Sequence, residues 1–143
     1  MGGLIGDNET YNGTHSITNS YATGNVTSDG YEIGGLIRQN YNSNIEDSYA
    51  TGNVSSTWTE VGGLIGNNYN SSIRRSHATG NVFFGSSAGG LIGINDASTA
   101  GIYSVTNSYA TGDVTSDGQY VGGLVGKNIK TSISDSYATG DVS

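Results

Sequence analysis

The stretch Gly62-Gly63-Leu64-Ile65-Gly66-Asn67-Asn68, followed eight residues on by Ser76-His77-Ala78-Thr79-Gly80-Asn81-Val82, sets the architecture of the chain. Both halves recur. GGLIG also stands at Gly2 to Gly6 and Gly89 to Gly93, and with one change each as GGLIR at Gly34 to Arg38 and GGLVG at Gly122 to Gly126. Two residues past each copy is an asparagine: Asn8, Asn40, Asn68, Asn95 and Asn128. The second half reads SYATG from Ser20, Ser48, Ser108 and Ser136, with His77 in the Tyr place of the third copy. Each of these runs on into Asn-Val or Asp-Val, ending at Val26, Val54, Val82, Val114 and Val142. Self-similarity at a period of this size is the signature of an array of stacked units.

The spacing between second markers is 28, 28, 32 and 28 residues. From SYATG to the next GG it is 14, 14, 13 and 14, whereas from GG to SYATG it is 14 in copies two, three and five but 18 and 19 in copies one and four. The larger changes in length fall just after the recurring Asn, which places enlarged loops at Glu9 to His15 and Asp96 to Tyr103. A stacked coil tolerates such bulges because its strands do not depend on them. With no helical periodicity, the repeat predicts an all-β, right-handed parallel β-solenoid of five coils, 2–33, 34–61, 62–88, 89–121 and 122–143, in one repeat domain. Three strands per coil are expected. The first is GGLIG. The second starts at Ile17, Ile45, Ile73, Val105 or Ile133, and the third passes a polar turn such as Thr27-Ser28-Asp29-Gly30 into Ile33, Val61, Ala88 or Val121. Stacking at ~4.8 Å makes a rod roughly 24 Å long.

Composition agrees. Charged residues are only 12% of the chain, Gly is abundant at 24 copies, and Pro and Cys are absent. The polar residues are chiefly turn formers, Ser, Thr, Asn and Gly, set among strand formers, Val, Ile and Tyr. A net charge of −7 argues against a nucleic-acid partner, which needs a basic footprint that Arg74 and Arg75 alone do not make. No apolar run approaches the ~18 residues of a membrane span, so no membrane insertion is expected. The chain starts at once on a repeat and reads as a fragment of a larger protein.

These markers resemble the GLUG repeat, named for a Gly-Leu-(any)-Gly signature. Here it stands at Gly3-Leu4-Ile5-Gly6, Gly63-Leu64-Ile65-Gly66, Gly90-Leu91-Ile92-Gly93 and Gly123-Leu124-Val125-Gly126; copy two departs, with Arg38 for its last Gly. The downstream Ser-Tyr-Ala-Thr-Gly-Asn-Val is matched nearly verbatim, and the resemblance covers almost the whole chain. It implies an extracellular repeat of bacterial and archaeal surface proteins, found in adhesin-like proteins and beside protease domains that cut host immunoglobulin. It carries over no catalytic residues.

The residues themselves offer no catalytic constellation. His15 and His77 sit in different contexts without an HExxH motif, there is no Cys nucleophile and no GxSxG elbow, and GGLIG lacks the Lys-Ser/Thr of a phosphate loop. Enzyme activity, cofactor and metal are therefore not expected. The acids Glu46, Asp47 and Asp135 fall at a polar repeat position also filled by Arg75, Asn19 and Asn107, a solvated edge. The Asn8, Asn40, Asn68, Asn95, Asn128 column is read as a structural ladder in which each amide bonds the next. The Asn25, Asn53, Asn81, Asp113, Asp141 column is read as turn chemistry.

Within SYATG, alternation puts Ser and Ala on one face and Tyr and Thr on the other. Small Ser and Ala suit a cramped interior. That leaves Tyr21, Tyr49, His77, Tyr109 and Tyr137, with Thr23, Thr51, Thr79, Thr111 and Thr139 beside them, as an outward candidate binding ladder; an inward Tyr stack is the alternative. GGLIG is apolar on both faces. Either its glycines bend the strand inward, or Leu4, Leu36, Leu64, Leu91 and Leu124 form an exposed stripe, a candidate interface for a homo-oligomer. Uncapped ends invite end-to-end stacking as well. Five Asn-x-Ser/Thr triplets stand at Asn8, Asn12, Asn25, Asn53 and Asn70, and chance explains most of them in a chain so rich in Asn, Ser and Thr.

These readings converge on a non-catalytic extracellular or cell-surface module acting as an adhesive or stalk element, its partner a glycan or a host or cell-surface protein. One alternative is binding to ice or another ordered surface through the array of Thr23 with Asn25 through Thr139 with Asp141. A second is self-assembly into filaments.

Overall fold

A computed structural model describes residues 1–11 and 15–143; Asn12 and the inner part of the first enlarged loop lie outside them. Among the described residues the regular structure is entirely β. Each turn of the chain lays short strands directly on those of the turn before, giving five parallel sheets that wrap one solenoid. The third coil shows the plan: Glu60–Gly62, Ile65–Tyr69, Ile73–Arg74, His77–Ala78 and Val82–Phe83. Register is one repeat per coil. Ile65 pairs with Ile37 and Ile92, Asn68 with Asn40 and Asn95, and His77 with Tyr49 and Tyr109. The Leu4 and Leu36 amides donate to the Leu36 and Leu64 carbonyls at 2.9 Å.

Five strands per coil are found where three were expected. Two corners are the reason: the expected second strand breaks before SYATG, and GGLIG is a corner rather than a straight strand. In the second coil Ile33–Gly34 ends one strand and Ile37–Tyr41 begins the next, with Gly35 and Leu36 turning between them. Alternation is broken at the bend, so Ile33, Leu36 and Ile37 are all fully buried. The exposed leucine stripe is thereby corrected. Leu36, Leu64 and Leu91 have no accessible surface and belong to the core, and only the end residues Leu4 and Leu124 are partly uncovered. The lateral interface through Leu4, Leu36, Leu64, Leu91 and Leu124 does not exist as a surface.

The interior is divided in two. One lobe holds the Leu36, Ile37 and Ile45 columns, the other the Val54 and Val61 columns. Between them the coil is pinched where the second glycine of each signature meets the alanine of SYATG.

Other corners use left-handed backbone. Asn19, Asp47, Arg75, Asn107 and Asp135, the polar position before each SYATG, all have φ between 47° and 50°. Asn tolerates this conformation best, and Asp next. The following serine fastens the corner: Ser48 Oγ donates to the Glu46 carbonyl at 2.9 Å and accepts from the Ser20 amide at 3.2 Å. A second left-handed corner, at Asn42, Asn70 and Lys130, follows the strand that carries the Asn column. It is here that coils one and four lengthen. Glu9 and Asp96 are aligned through Tyr41 and Tyr69, so both enlargements leave the same corner three coils apart. Glu9, His15 and Asp96 themselves belong to strands, so the enlargements are shorter than the sequence suggests.

Candidate functional site

The strand that carries SYATG positions the outward columns. Ala22, Ala50, Ala78 and Ala110 point inward and are buried, which turns Tyr21, Tyr49, His77, Tyr109 and Tyr137 to the outside. Their rings form one unbroken stack. Successive centroids are 5.2, 5.0, 4.7 and 5.3 Å apart, with planes within 7° of parallel. The solenoid pitch sets this distance, since it matches the strand spacing. The end rings Tyr21 and Tyr137 are 57% and 54% exposed, and the three between them are half-buried by their neighbours. Thr23, Thr51, Thr79, Thr111 and Thr139 are exposed alongside.

A stack this close has used up its faces. An aromatic ring packs a ligand's apolar side best through its π-face. In Tyr49, His77 and Tyr109 both faces are covered by neighbouring rings, so what the column presents is ring edges and phenolic hydroxyls. His77 is the one titratable break, and burial between two rings pushes its imidazole below the ordinary range.

Two asparagine columns do different work. In the inner one, Asn8 Nδ2 donates to Asn40 Oδ1 at 2.7 Å, Asn40 to Asn68 at 2.9 Å, Asn68 to Asn95 at 2.8 Å and Asn95 to Asn128 at 2.9 Å. Nδ2 of Asn68 also donates to the Ser71 carbonyl at 3.0 Å. Each buried amide is thus both donor and acceptor, and a carboxylate cannot replace it. In the outer column only the oxygen is used. The amide of Asn53 donates to Asn25 Oδ1 at 2.9 Å, and that of Asp141 donates to Asp113 Oδ1 at 2.9 Å. This is why Asp occurs in the outer column and never in the inner one.

The solvated edge before SYATG carries cross-coil ion pairs. Arg75 meets Asp47 at 2.8 Å and Glu46 at 2.6 Å, which holds the Asp47 carboxyl below the usual carboxylate range. Arg38, the departure from the Gly signature, meets Asp7, and Glu32 at 3.0 Å. These are two separate clusters at different repeat positions, with no three His, Cys, Asp or Glu side chains converging on one point among the described residues.

A further surface escaped the sequence reading. The turns between the Val column and GG carry Tyr31, Trp58, Phe84 and Tyr120, all exposed. Tyr31 and Trp58 are in tilted contact at 5.6 Å, and Lys127 lies 4.7 Å over the ring of Tyr120. The signal was an aromatic residue near each of these turns, hidden because its place shifts: after the shared Thr-Ser-Asp-Gly of coils one and four, Tyr31 follows directly and Tyr120 one residue later.

The family pattern described as the GLUG motif matches residues 29–55, 59–82 and 117–143, more than half of the chain. The matched segments are copies two, three and five, those with the short corner after the inner Asn. No curated protein and no solved structure matches the chain. A GLUG pattern found three times, each time over one full coil of a solenoid whose Gly, Asn and Ser-Tyr-Ala columns are all in register, makes this chain a member of the GLUG repeat family.

Proposed function

We propose that this repeat module is non-catalytic and serves a surface or secreted protein as an adhesive rod. The observation that carries the reading is the outward Tyr-His-Tyr column with its parallel Thr column, repeated in every coil at the solenoid pitch. Among the described residues, no protein group bonds the hydroxyls of Tyr21, Tyr49, Tyr109 or Tyr137. A rigid row of hydroxyls, held at fixed spacing before any partner arrives, binds with little loss of side-chain freedom. The partner is a glycan or a protein at a cell surface, and the site of action is extracellular.

The test is adhesion of the 143-residue chain to immobilised cell-surface glycans and proteins, compared with Tyr49→Ser/Tyr109→Ser. Adhesion that weakens in the variant supports the ladder. Wild-type chain that adheres to nothing leaves the rod as a spacer.

The exposed Thr column favours binding to ice as a second reading. An ice face must be flat, however, and the tyrosine rings stand beside the threonines. A solution of the chain without thermal hysteresis rejects it.

A further inference from the structure

The one-residue irregularity in the repeat builds a groove. Ser55, Phe83 and Thr115 are in register, as are Glu60, Ser87 and Tyr120. Between these fixed points the second coil has residues 56–59 and the fourth has 116–119, while the third has only 84–86. The third turn is therefore recessed between two longer ones. The result is an open groove of about 540 Å³, walled by Thr57 and Trp58 on one side and Asp117 to Gln119 on the other, with Phe84 to Ser86 as its floor. That volume lies in the range of small-ligand sites.

The groove is held in shape before any ligand enters. The Ser86 amide donates to the Trp58 carbonyl at 3.0 Å, the Phe84 amide to the Thr115 carbonyl at 2.8 Å, and Ser116 Oγ to the Gly85 carbonyl at 2.7 Å. The floor is thus pinned to both walls. Phe84 is also strained. Its φ is 63°, a left-handed conformation that a bulky side chain seldom adopts, yet its ring is 50% exposed rather than tucked into the core.

The lining defines the ligand. Trp58 and Phe84 offer apolar ring surface outside the tyrosine stack, with Tyr31 supporting Trp58 from the coil on the far side. Among the described residues Asp117 and Gln119 are exposed without side-chain partners, a carboxylate that only accepts hydrogen bonds and an amide that both donates and accepts. Apolar rings edged by such groups fit a molecule with a C–H face and vicinal hydroxyls. The single charge in the lining is the negative one of Asp117, which repels acidic sugars, phosphates and nucleic acid.

We infer that the recessed turn of the third coil is a binding site for a neutral saccharide, packed on Trp58 and Phe84 and hydrogen-bonded by Asp117 and Gln119. The site rests on the adhesive reading but is separate from the tyrosine column.

The experiment is a glycan array carrying neutral and sialylated oligosaccharides, probed with the 143-residue chain and three variants, Trp58→Ala, Phe84→Gly and Tyr49→Ser/Tyr109→Ser. Circular dichroism checks that each is folded. The expected result is retention of neutral glycans by the wild type and a loss of tenfold or more in Trp58→Ala and Phe84→Gly, larger than the loss in the ladder variant. Phe84→Gly should bind less while melting at a higher temperature, since glycine adopts φ 63° freely. Three results overturn the site. Glycan binding lost only in the ladder variant refutes the groove and leaves the adhesive reading intact. Adhesion to protein but no glycan, abolished by Trp58→Ala, assigns the groove to a peptide instead. Absence of all adhesion in the wild type removes both readings.

Discussion

Gly35 lies directly against Ala50 across the waist of the second coil: a methyl placed on Gly35 would stand 2.9 Å from Ala50 Cβ. It would also stand 2.1 Å from the Gly63 carbonyl oxygen of the coil above. The same approach recurs at Gly63 with Ala78 and at Gly90 with Ala110, at 2.9 and 2.8 Å. The two most constant markers of the sequence are therefore the two sides of one contact. Ala50→Val overfills the waist and should destabilise the chain by about 1–3 kcal/mol. Gly35→Ala should cost more, because the clash is with backbone that cannot rotate away. Urea unfolding midpoints check both; a Gly35→Ala protein as stable as wild type would mean that the coils are not stacked this closely.

The two asparagine columns give a sharper contrast. Asn68→Asp places a carboxylate where Nδ2 donates to Asn95 Oδ1 and the Ser71 carbonyl, at a position with no solvent exposure. Acceptor then faces acceptor around a buried charge, a loss of about 3 kcal/mol or more. Asn53→Asp changes an exposed residue of which only the oxygen is used, and coils four and five already carry Asp there. Its expected cost is within about 0.5 kcal/mol. Equal losses in the two variants would show that the inner column is not a donor-acceptor ladder.

Much of this was legible because a solenoid writes each column once per coil. The period, the register and the identity of the columns follow from counting from one GG to the next. The bend inside GGLIG was legible only as one of two alternatives. Strict alternation assumes a straight strand, and Leu36 and Ile37 can be consecutive and both buried only if the chain turns between Gly34 and Ile37. The candidate groove was visible only as a spacing of 13 in place of 14. What that gap makes depends on the turns above and below it, and on Trp58 and Phe84, which have no counterparts in a repeat consensus.

Leu64 tests the corner directly. With no accessible surface and apolar neighbours on all sides, Leu64→Ala should cost about 2–5 kcal/mol, and Leu64→Lys enough to unfold the chain. Self-association through the leucine column is then ruled out. Sedimentation of the wild type across a wide concentration range, beside circular dichroism of Leu64→Lys, separates the cases. A Leu64→Lys protein that is folded and monomeric would restore the lateral interface.

The enlarged corner of the fourth coil should be dispensable. Replacing residues 97–104 by the Asn-Ser-Ser that fills 70–72 in the third coil keeps both flanking strands, Ile92–Asp96 and the strand of Val105, in register. The loop-closure term changes by only about 0.9 kcal/mol for this change in length, in favour of the shorter loop. The loop's own bonds, such as the Ser98 amide to Asn70 Oδ1 at 2.8 Å, lie at the surface. Cooperative thermal unfolding should persist with a midpoint close to wild type; loss of cooperativity would place the enlargement inside the core.

His77 gives the column a pH dependence. Burial between Tyr49 and Tyr109 lowers its pKa in the folded chain, so the fold favours the neutral ring. The unfolded chain, with an ordinary value of about 6.5, then binds the proton at a higher pH than the folded chain does. Where the unfolded state holds more protons, stability rises with pH. His77 therefore subtracts nothing above about pH 6.5. Its penalty grows as pH falls below that value, and levels off once pH is below the folded pKa. Asp47 acts in a different window: Arg75 lowers its folded pKa, so its contribution is present above the unfolded value of about 3.9 and is lost only in stronger acid. That contribution is small, because the pair is exposed. His77→Tyr completes the tyrosine column and removes the first effect alone. Denaturation midpoints of wild type and His77→Tyr from pH 8 to pH 4.5 should run parallel above about 6.5 and diverge below, with the wild type falling further. His15 is common to both proteins and drops out of the difference. A difference that stays constant over that range would mean that the imidazole is as well solvated in the stack as in the unfolded chain.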